Sequence, residues 1–261
     1  MKKIYYKWFA VLGLAGMVFS CKSDLETEPI ELQTLDQVFD RNDSAGVNAD
    51  RFLADFYRYL PRTGTRVGGD FLDAATDDAI SSNTTNTSVQ QLAMGTYNSD
   101  SYQDNQWSTW YKGIRQANIF INNIDKVPLK GKLANGTPFN RVWKAEARFL
   151  RAMFYFELLK RHGGIPLLGD KVYQINDNIE LPRNSFAECV DYIVKECDAI
   201  KDSLRVDPFD LTFYGRPTKG AAMALKARLL LYAASPLYNG GNIDQANPLT
   251  GYTDFSAERW Q

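Results

Sequence analysis

Where apolar residues recur along this chain, they recur at the three- and four-residue spacing of a helix. In residues 45–60, Ala49, Phe52, Leu53, Phe56 and Leu60 share one face, and Pro61 ends the segment. In residues 107–125, Trp107, Trp110, Ile114, Ala117, Ile121 and Ile124 do the same, ahead of Val127-Pro128. Residues 185–204 open with Ser185 and Glu188, the spacing of a reciprocal N-terminal cap. A stripe of Val190, Ile193, Cys197, Ile200 and Leu204 follows. No stretch alternates apolar and polar residues for long enough to predict a strand. The predicted class is all-α.

Two segments carry apolar residues on more than one side. Over 143–161, Trp143, Ala147, Leu150, Phe154 and Leu158 fall in one arc of the helical wheel. Ala145, Phe149, Ala152, Phe156 and Leu159 fall in another, roughly opposite. Narrow polar stripes separate them: Lys144-Arg148-Arg151 and Glu146-Glu157-Lys160. Over 218–235, one seam is Ala221, Ala222, Leu225, Leu229, Tyr232 and Ala233. The second is Met223, Ala224, Ala227, Leu230, Leu231 and Ala234. A helix with two seams needs neighbours on both sides, as in stacked helix pairs of an α-solenoid, and small alanines let those neighbours come close. Ala145, Phe149, Ala152 and Ala227, Leu231, Ala234 share a spacing similar to the second helix of a tetratricopeptide unit. The expected architecture is therefore tetratricopeptide-like helix pairs with long inserted loops; a plain buried bundle helix is the alternative.

The N-terminus predicts a compartment. Lys2, Lys3 and Lys7 precede an uncharged run from Trp8 to Phe19, too short for a spanning helix of about 20 residues. Val18-Phe19-Ser20-Cys21 resembles a bacterial lipobox, which makes residues 1–20 a lipoprotein signal peptide and Cys21 the lipid attachment point. An ordinary signal peptide is the other reading. Residues 21–40 read as an acidic, lipidated tether, with Asp24, Glu26, Glu28 and Pro29 and little to pack. Acyl chains on Cys21 would hold the chain at a membrane without a spanning helix. Cys189 and Cys197 lie about 12 Å apart along one helix, too far for a disulfide, and read as small buried apolar residues.

Charge and composition narrow the function classes. Lys and Arg total 30 against 31 Asp and Glu, so no overall field draws nucleic acid. Aromatic residues make up 13%, enough to fill a core and still furnish a recognition surface. Residues 62–106 form a long polar excursion with several glycines, of the kind that carries function or is disordered. Asp73, Asp77 and Asp78 read as a cap or solvated charges at a helix start, with an acid/base pair or a cation site as the alternative; Asp73 and Asp77 would share a face if helical. His162, the sole histidine, sits at a helix end, where a cation suits the dipole. One histidine cannot build a His-based metal cluster. Gly163-Gly164 ends a helix, whereas phosphate loops precede one. We expect no catalytic residues, no metal and no cofactor. A glycoside hydrolase would require two carboxylates placed about 5–10 Å apart in a cleft.

The segments "WSTWYKGIRQANIFINNID" (107–125), "AEARFLRAMFYFELLKRHGGIPLL" (145–168) and "GRPTKGAAMALKARLLLYAASPLYNG" (215–240) resemble, in order, signature segments of the SusD/RagB family. "FLDAATDDA" (71–79) is similar to a fourth. The resemblance covers essentially everything after Cys21. It implies an outer-membrane, cell-surface lipoprotein that captures oligosaccharides or other nutrients without cleaving them. It also implies delivery to a SusC-like TonB-dependent transporter as partner. A surface scaffold that binds only a protein partner is the second reading. The excursion offers glycan-binding candidates in Tyr97, Asn98, Asp100, Tyr102 and Trp107, with Asp104 and Asn105 interleaved; Trp107 also fits the helix core. Family members are usually about twice this length, and Phe255, Ser256 and Glu258 resemble a helix start. Residues 41–261 are thus expected to be the N-terminal portion of a SusD-like helical domain, with apolar seams left uncovered and stability reduced.

Overall fold

The computed structural model describes residues 34–260, apart from 62–63, 66, 68, 83–87, 99, 102–103, 175, 207–212, 241–243 and 245–246. The signal peptide, Cys21, most of the tether and Tyr102 lie outside the described residues. The chain divides into two units between Val38 and Phe39. In the first, Thr34 caps a single turn, α1 (Leu35–Val38): the Thr34 amide donates to Gln37 Oε1 at 3.1 Å and the Gln37 amide to Thr34 Oγ1 at 3.4 Å.

The second unit is built from α2 (Val47–Ala54), α3 (Ser88–Ala93), α4 (Trp107–Asn123), α5 (Phe139–His162), α6 (Phe186–Ile200) and α7 (Lys219–Ala234). Among the described residues there is no strand, only isolated bridges. α2 begins two residues later than the pattern suggests, because the Asp43 carboxylate accepts the amides of Ala45, Gly46 and Val47 and fixes the start there. It tightens into a 3-10 turn, Asp55–Tyr59, before Pro61. Both halves of the cap foreseen at α6 are present: the Glu188 amide donates to Ser185 Oγ at 3.2 Å, and the Ser185 amide to Glu188 Oε2 at 2.8 Å. That bonding to its charged form holds the Glu188 carboxyl below its usual range.

The stack runs in sequence order, α4 on α5, α5 on α6 and α6 on α7. α5 carries the core, and both of its seams are buried. Phe154 from one seam packs so closely on α4 that a Cβ at Gly113 would lie 2.8 Å from its ring. Phe156 from the other meets Tyr232 of α7 edge-on at 5.5 Å. Between the seams, Tyr155 meets Tyr192 of α6 at 5.3 Å. Phe39, Phe52, Phe56 and Phe120 form an aromatic cluster that seats α2 on α4. Cys189 and Cys197 are free thiols in the core, each pushed up to about 11 by burial.

Two features add to the sequence pattern, and one expectation needs correction. The second seam of α7 is open: Met223 and Leu231 are 55% and 63% exposed, and Leu230 and Tyr232 are exposed beside them. Among the described residues α7 packs on α6, touches α5 through Tyr232 and meets the 3-10 turn Ala257–Trp260, while its Met223, Leu230 and Leu231 side is exposed. The stripes between the seams of α5 are partly buried. Glu146, Arg151 and Glu157 are buried, each satisfied by partners far along the chain or one turn away. Finally, the 3-10 turn Leu72–Ala75 ends before Asp77, so Asp73 and Asp77 share no helix face; Asp73, Asp77 and Asp78 are all exposed.

Candidate functional site

The spacing of α4 explains the site. Its core face carries Trp110, Ile114, Ala117 and Ile121, all buried. A neighbouring face carries Trp107, Tyr111 and Arg115, four residues apart, and then Asn118 and Asn122. Side chains from this face fasten the segment after α5 along the helix. The Tyr111 hydroxyl donates to the Pro166 carbonyl at 2.8 Å. Asn118 Nδ2 donates to the Lys171 carbonyl and Asn122 Nδ2 to the Asp170 carbonyl, both at 2.9 Å. Arg115 reaches the Tyr173 carbonyl at 3.5 Å.

Buried Arg151 of α5 completes the fastening. Its Nη1 donates to Asn118 Oδ1 at 2.6 Å, to the Gly169 carbonyl at 2.9 Å and to Asp170 Oδ1 at 2.6 Å. Its Nη2 donates to Glu196 Oε2 of α6 at 2.8 Å. Arg148 grips the same carboxylate with Nε at 3.1 Å and Nη2 at 2.7 Å. Burial opposes the Glu196 charge, but the hydrogen bonds from Arg148 and the charge of Arg151 outweigh it and hold the carboxyl below its usual range. The Leu168 amide, finally, donates to the Tyr155 hydroxyl at 3.0 Å.

The start of that segment depends on Gly163-Gly164. Gly163 has a φ of 69°, and a Cβ there would lie 2.1 Å from the Leu249 carbonyl oxygen. The Gly164 amide donates to that oxygen at 2.7 Å, and Arg183 Nε donates to the Gly164 carbonyl at 2.6 Å. Another Arg183 nitrogen donates to the His162 carbonyl. His162 lies edge-on against Trp107 at 5.0 Å. Burial, with the charges of Arg183 and Arg161, keeps its pKa below the ordinary imidazole value. Its surroundings thus disfavour the cation that the dipole at a helix end would suit.

The result is a cleft of about 600 Å³ between α4 and the fastened segment. Trp107, Tyr111 and Tyr173 supply rings, Pro166, Leu168, Ile179 and Leu181 apolar wall, and Arg115, Lys171 and Gln174 polar heads. Trp107 and Tyr111 stand 4.9 Å apart at a tilt of 43°. Lys171 Nζ sits 4.3 Å over the Tyr173 ring. Burial raises the Tyr111 phenol well above its usual range, so it remains a donor. Among the described residues no Asp or Glu lines the cleft.

Of the candidates read from the sequence, Trp107 is half-buried and lines this cleft. Tyr97, Asn98 and Asp100 are exposed and do not line it. They belong to a turn in which Asn98 Oδ1 accepts the amides of Asp100 at 2.9 Å and Ser101 at 3.0 Å. Tyr102 lies outside the described residues. The interleaved residues have structural partners. Asp104 is buried against Arg161 Nε at 2.7 Å, and Asn105 Oδ1 accepts the Trp107 amide at 3.2 Å at the start of α4. Tyr111, Tyr173, Arg115 and Lys171 escaped sequence reasoning. The signal for two of them was the 107, 111, 115 spacing on a face separate from the core stripe.

Comparison with known proteins gives a consistent result. A SusD-like family model described as "Starch-binding associating with outer membrane" matches residues 33–231. The SusD-like protein P38 of Formosa agariphila is 27% identical over 228 residues, 86% of this chain and 41% of that protein. A SusD-like protein of Bacteroides ovatus is 28% identical over 141 residues, 54% of this chain and 24% of that protein. The crystal structure of a SusD-like protein from Bacteroides fragilis superposes with a TM-score of 0.61 at 29% identity, covering 76% of this chain and 36% of that one. The chain thus spans less than half the length of these relatives.

Proposed function

The chain belongs to the SusD-like family, and from that premise we propose that it is a cell-surface lipoprotein, anchored to the outer membrane through Cys21, that captures oligosaccharides without cleaving them. It then passes them to a SusC-like TonB-dependent transporter. The observation that carries the reading is the cleft, where Trp107, Tyr111 and Tyr173 offer ring surface for the C–H faces of a sugar and Arg115, Lys171 and Gln174 offer donors for its oxygens. Tyr97, Asn98, Asp100 and Tyr102 remain proposed as an outlying contact surface.

Isothermal titration against a polysaccharide panel, with a reducing-sugar assay on the same mixtures, tests this. Capture predicts binding without sugar release, weakened tenfold or more by Trp107→Ala, since stacked rings carry much of the contact. Release of reducing ends would establish hydrolysis instead. Silence across the panel would leave the scaffold reading.

A further inference from the structure

We infer that the cleft is built for a sugar carrying a negative charge, a carboxylate or a sulfate, in preference to a neutral one; this rests on the cleft being the glycan site. Among the described residues the charged ones lining it are Arg115 and Lys171, both cations, in a chain whose net charge is −1. The pairing therefore does not reflect a basic composition. The carboxylates of the adjoining loop are turned to other partners. Asp170 is bound to Arg151, Asp177 Oδ2 accepts the Gln174 amide at 2.8 Å, and Glu180 Oε1 accepts from Asn178 at 3.0 Å.

Among the described residues neither cation has an ion-pair partner. Arg115 has one bond, to a carbonyl at the 3.5 Å limit, and its remaining guanidinium donors are exposed. Lys171 rests on the Tyr173 ring, which positions its charge without neutralising it. Placement adds to this. Trp107, Tyr111 and Arg115 succeed one another along one face of α4, so a sugar stacked on the rings presents its edge to the guanidinium. A planar fork of N–H donors matches the paired oxygens of a carboxylate or sulfate, and low-dielectric walls on one side strengthen the attraction.

The test titrates the full chain with oligogalacturonate, sulfated dextran oligosaccharides, neutral dextran oligosaccharides, maltoheptaose and inorganic sulfate. Expected is binding of a charged oligosaccharide at least tenfold tighter than of the neutral ones, weakening as salt rises. Arg115→Gln and Lys171→Gln should each lower the charged-to-neutral affinity ratio roughly two- to fivefold, as exposed ion contacts do. Both side chains are at the surface, and thermal melts confirm that the variants fold. Preference for the carboxylated or for the sulfated probe supports the inference and names the anion. Equal binding of neutral and charged oligosaccharides, or a ratio unmoved in the double variant, overturns it while leaving glycan capture intact. Inorganic sulfate binding as tightly as the sulfated sugar also overturns it. No binding by any oligosaccharide removes both readings.

Discussion

At the level of single residues, the polar groups of α5 separate what a helical wheel reveals from what it conceals. The wheel places Arg148 and Arg151 in one stripe and Glu146 and Glu157 in another, and that angular placement holds. It gives no hint that Arg151 and Glu146 are inside, because their partners Glu196, Asp170, Arg205 and Tyr57 lie far off in sequence. Removing Arg151 leaves Asn118 Oδ1 without its donor, while Glu196 keeps its two bonds from Arg148. Arg151→Met should therefore lower the unfolding free energy by about 1–3 kcal/mol, measured by urea denaturation. His162 gives a cleaner test because no other histidine is present. Its folded pKa lies below the unfolded value of about 6.5. Above that pH both states are neutral and the group contributes nothing. Below it the unfolded chain takes the proton first, so stability falls as pH drops through 6.5 toward the folded pKa. Urea midpoints at pH 7.5 and 5.5 should differ in the native chain and differ less in His162→Gln.

At the level of elements, the helices were legible because apolar stripes persist over several turns, and ends differed where a local cap or a closing 3-10 turn intervened, or, at α5, where the helix starts earlier at Phe139. What a stripe cannot state is whether a neighbour covers it. α5 and α7 present the same two-seam pattern, yet α5 is clasped between α4 and α6 while the Met223, Leu230 and Leu231 side of α7 is open. A pair of substitutions measures this. Leu229→Ala, in the covered seam, should cost about 2–5 kcal/mol. Leu231→Gln, two positions on, should change stability by no more than about 0.5 kcal/mol. A large loss at Leu231 would mean that its face is covered in solution. Close approach is tested separately at the α4–α5 crossing. Gly113→Ala drives a methyl into the Phe154 ring and should cost about 1–3 kcal/mol in the same assay.

At the level of the whole molecule, the stack and the family resemblance could be read from the chain, whereas the cleft could not. Trp107 alone was nominated and lines it. The opposite wall, 166–181, has no periodicity and is shaped by donors on another element. That wall is fastened to the stack through Asn118, which bonds both the Lys171 carbonyl and Arg151. Core stability and cleft geometry therefore share a component, and two substitutions of similar severity should be distinguishable. Asn118→Ala breaks the fastening and removes a partner from a buried charge; it should cost about 1–3 kcal/mol and also weaken oligosaccharide binding, although Asn118 does not line the cleft. Leu229→Ala should destabilise at least as much while leaving affinity within about twofold, since α7 contributes nothing to the lining. Hydrogen exchange supplies the local readout, with amides of 168–173 exchanging faster in Asn118→Ala and unchanged in Leu229→Ala under native conditions. If both variants lost affinity in proportion to stability, the cleft would depend on global folding and not on this fastening.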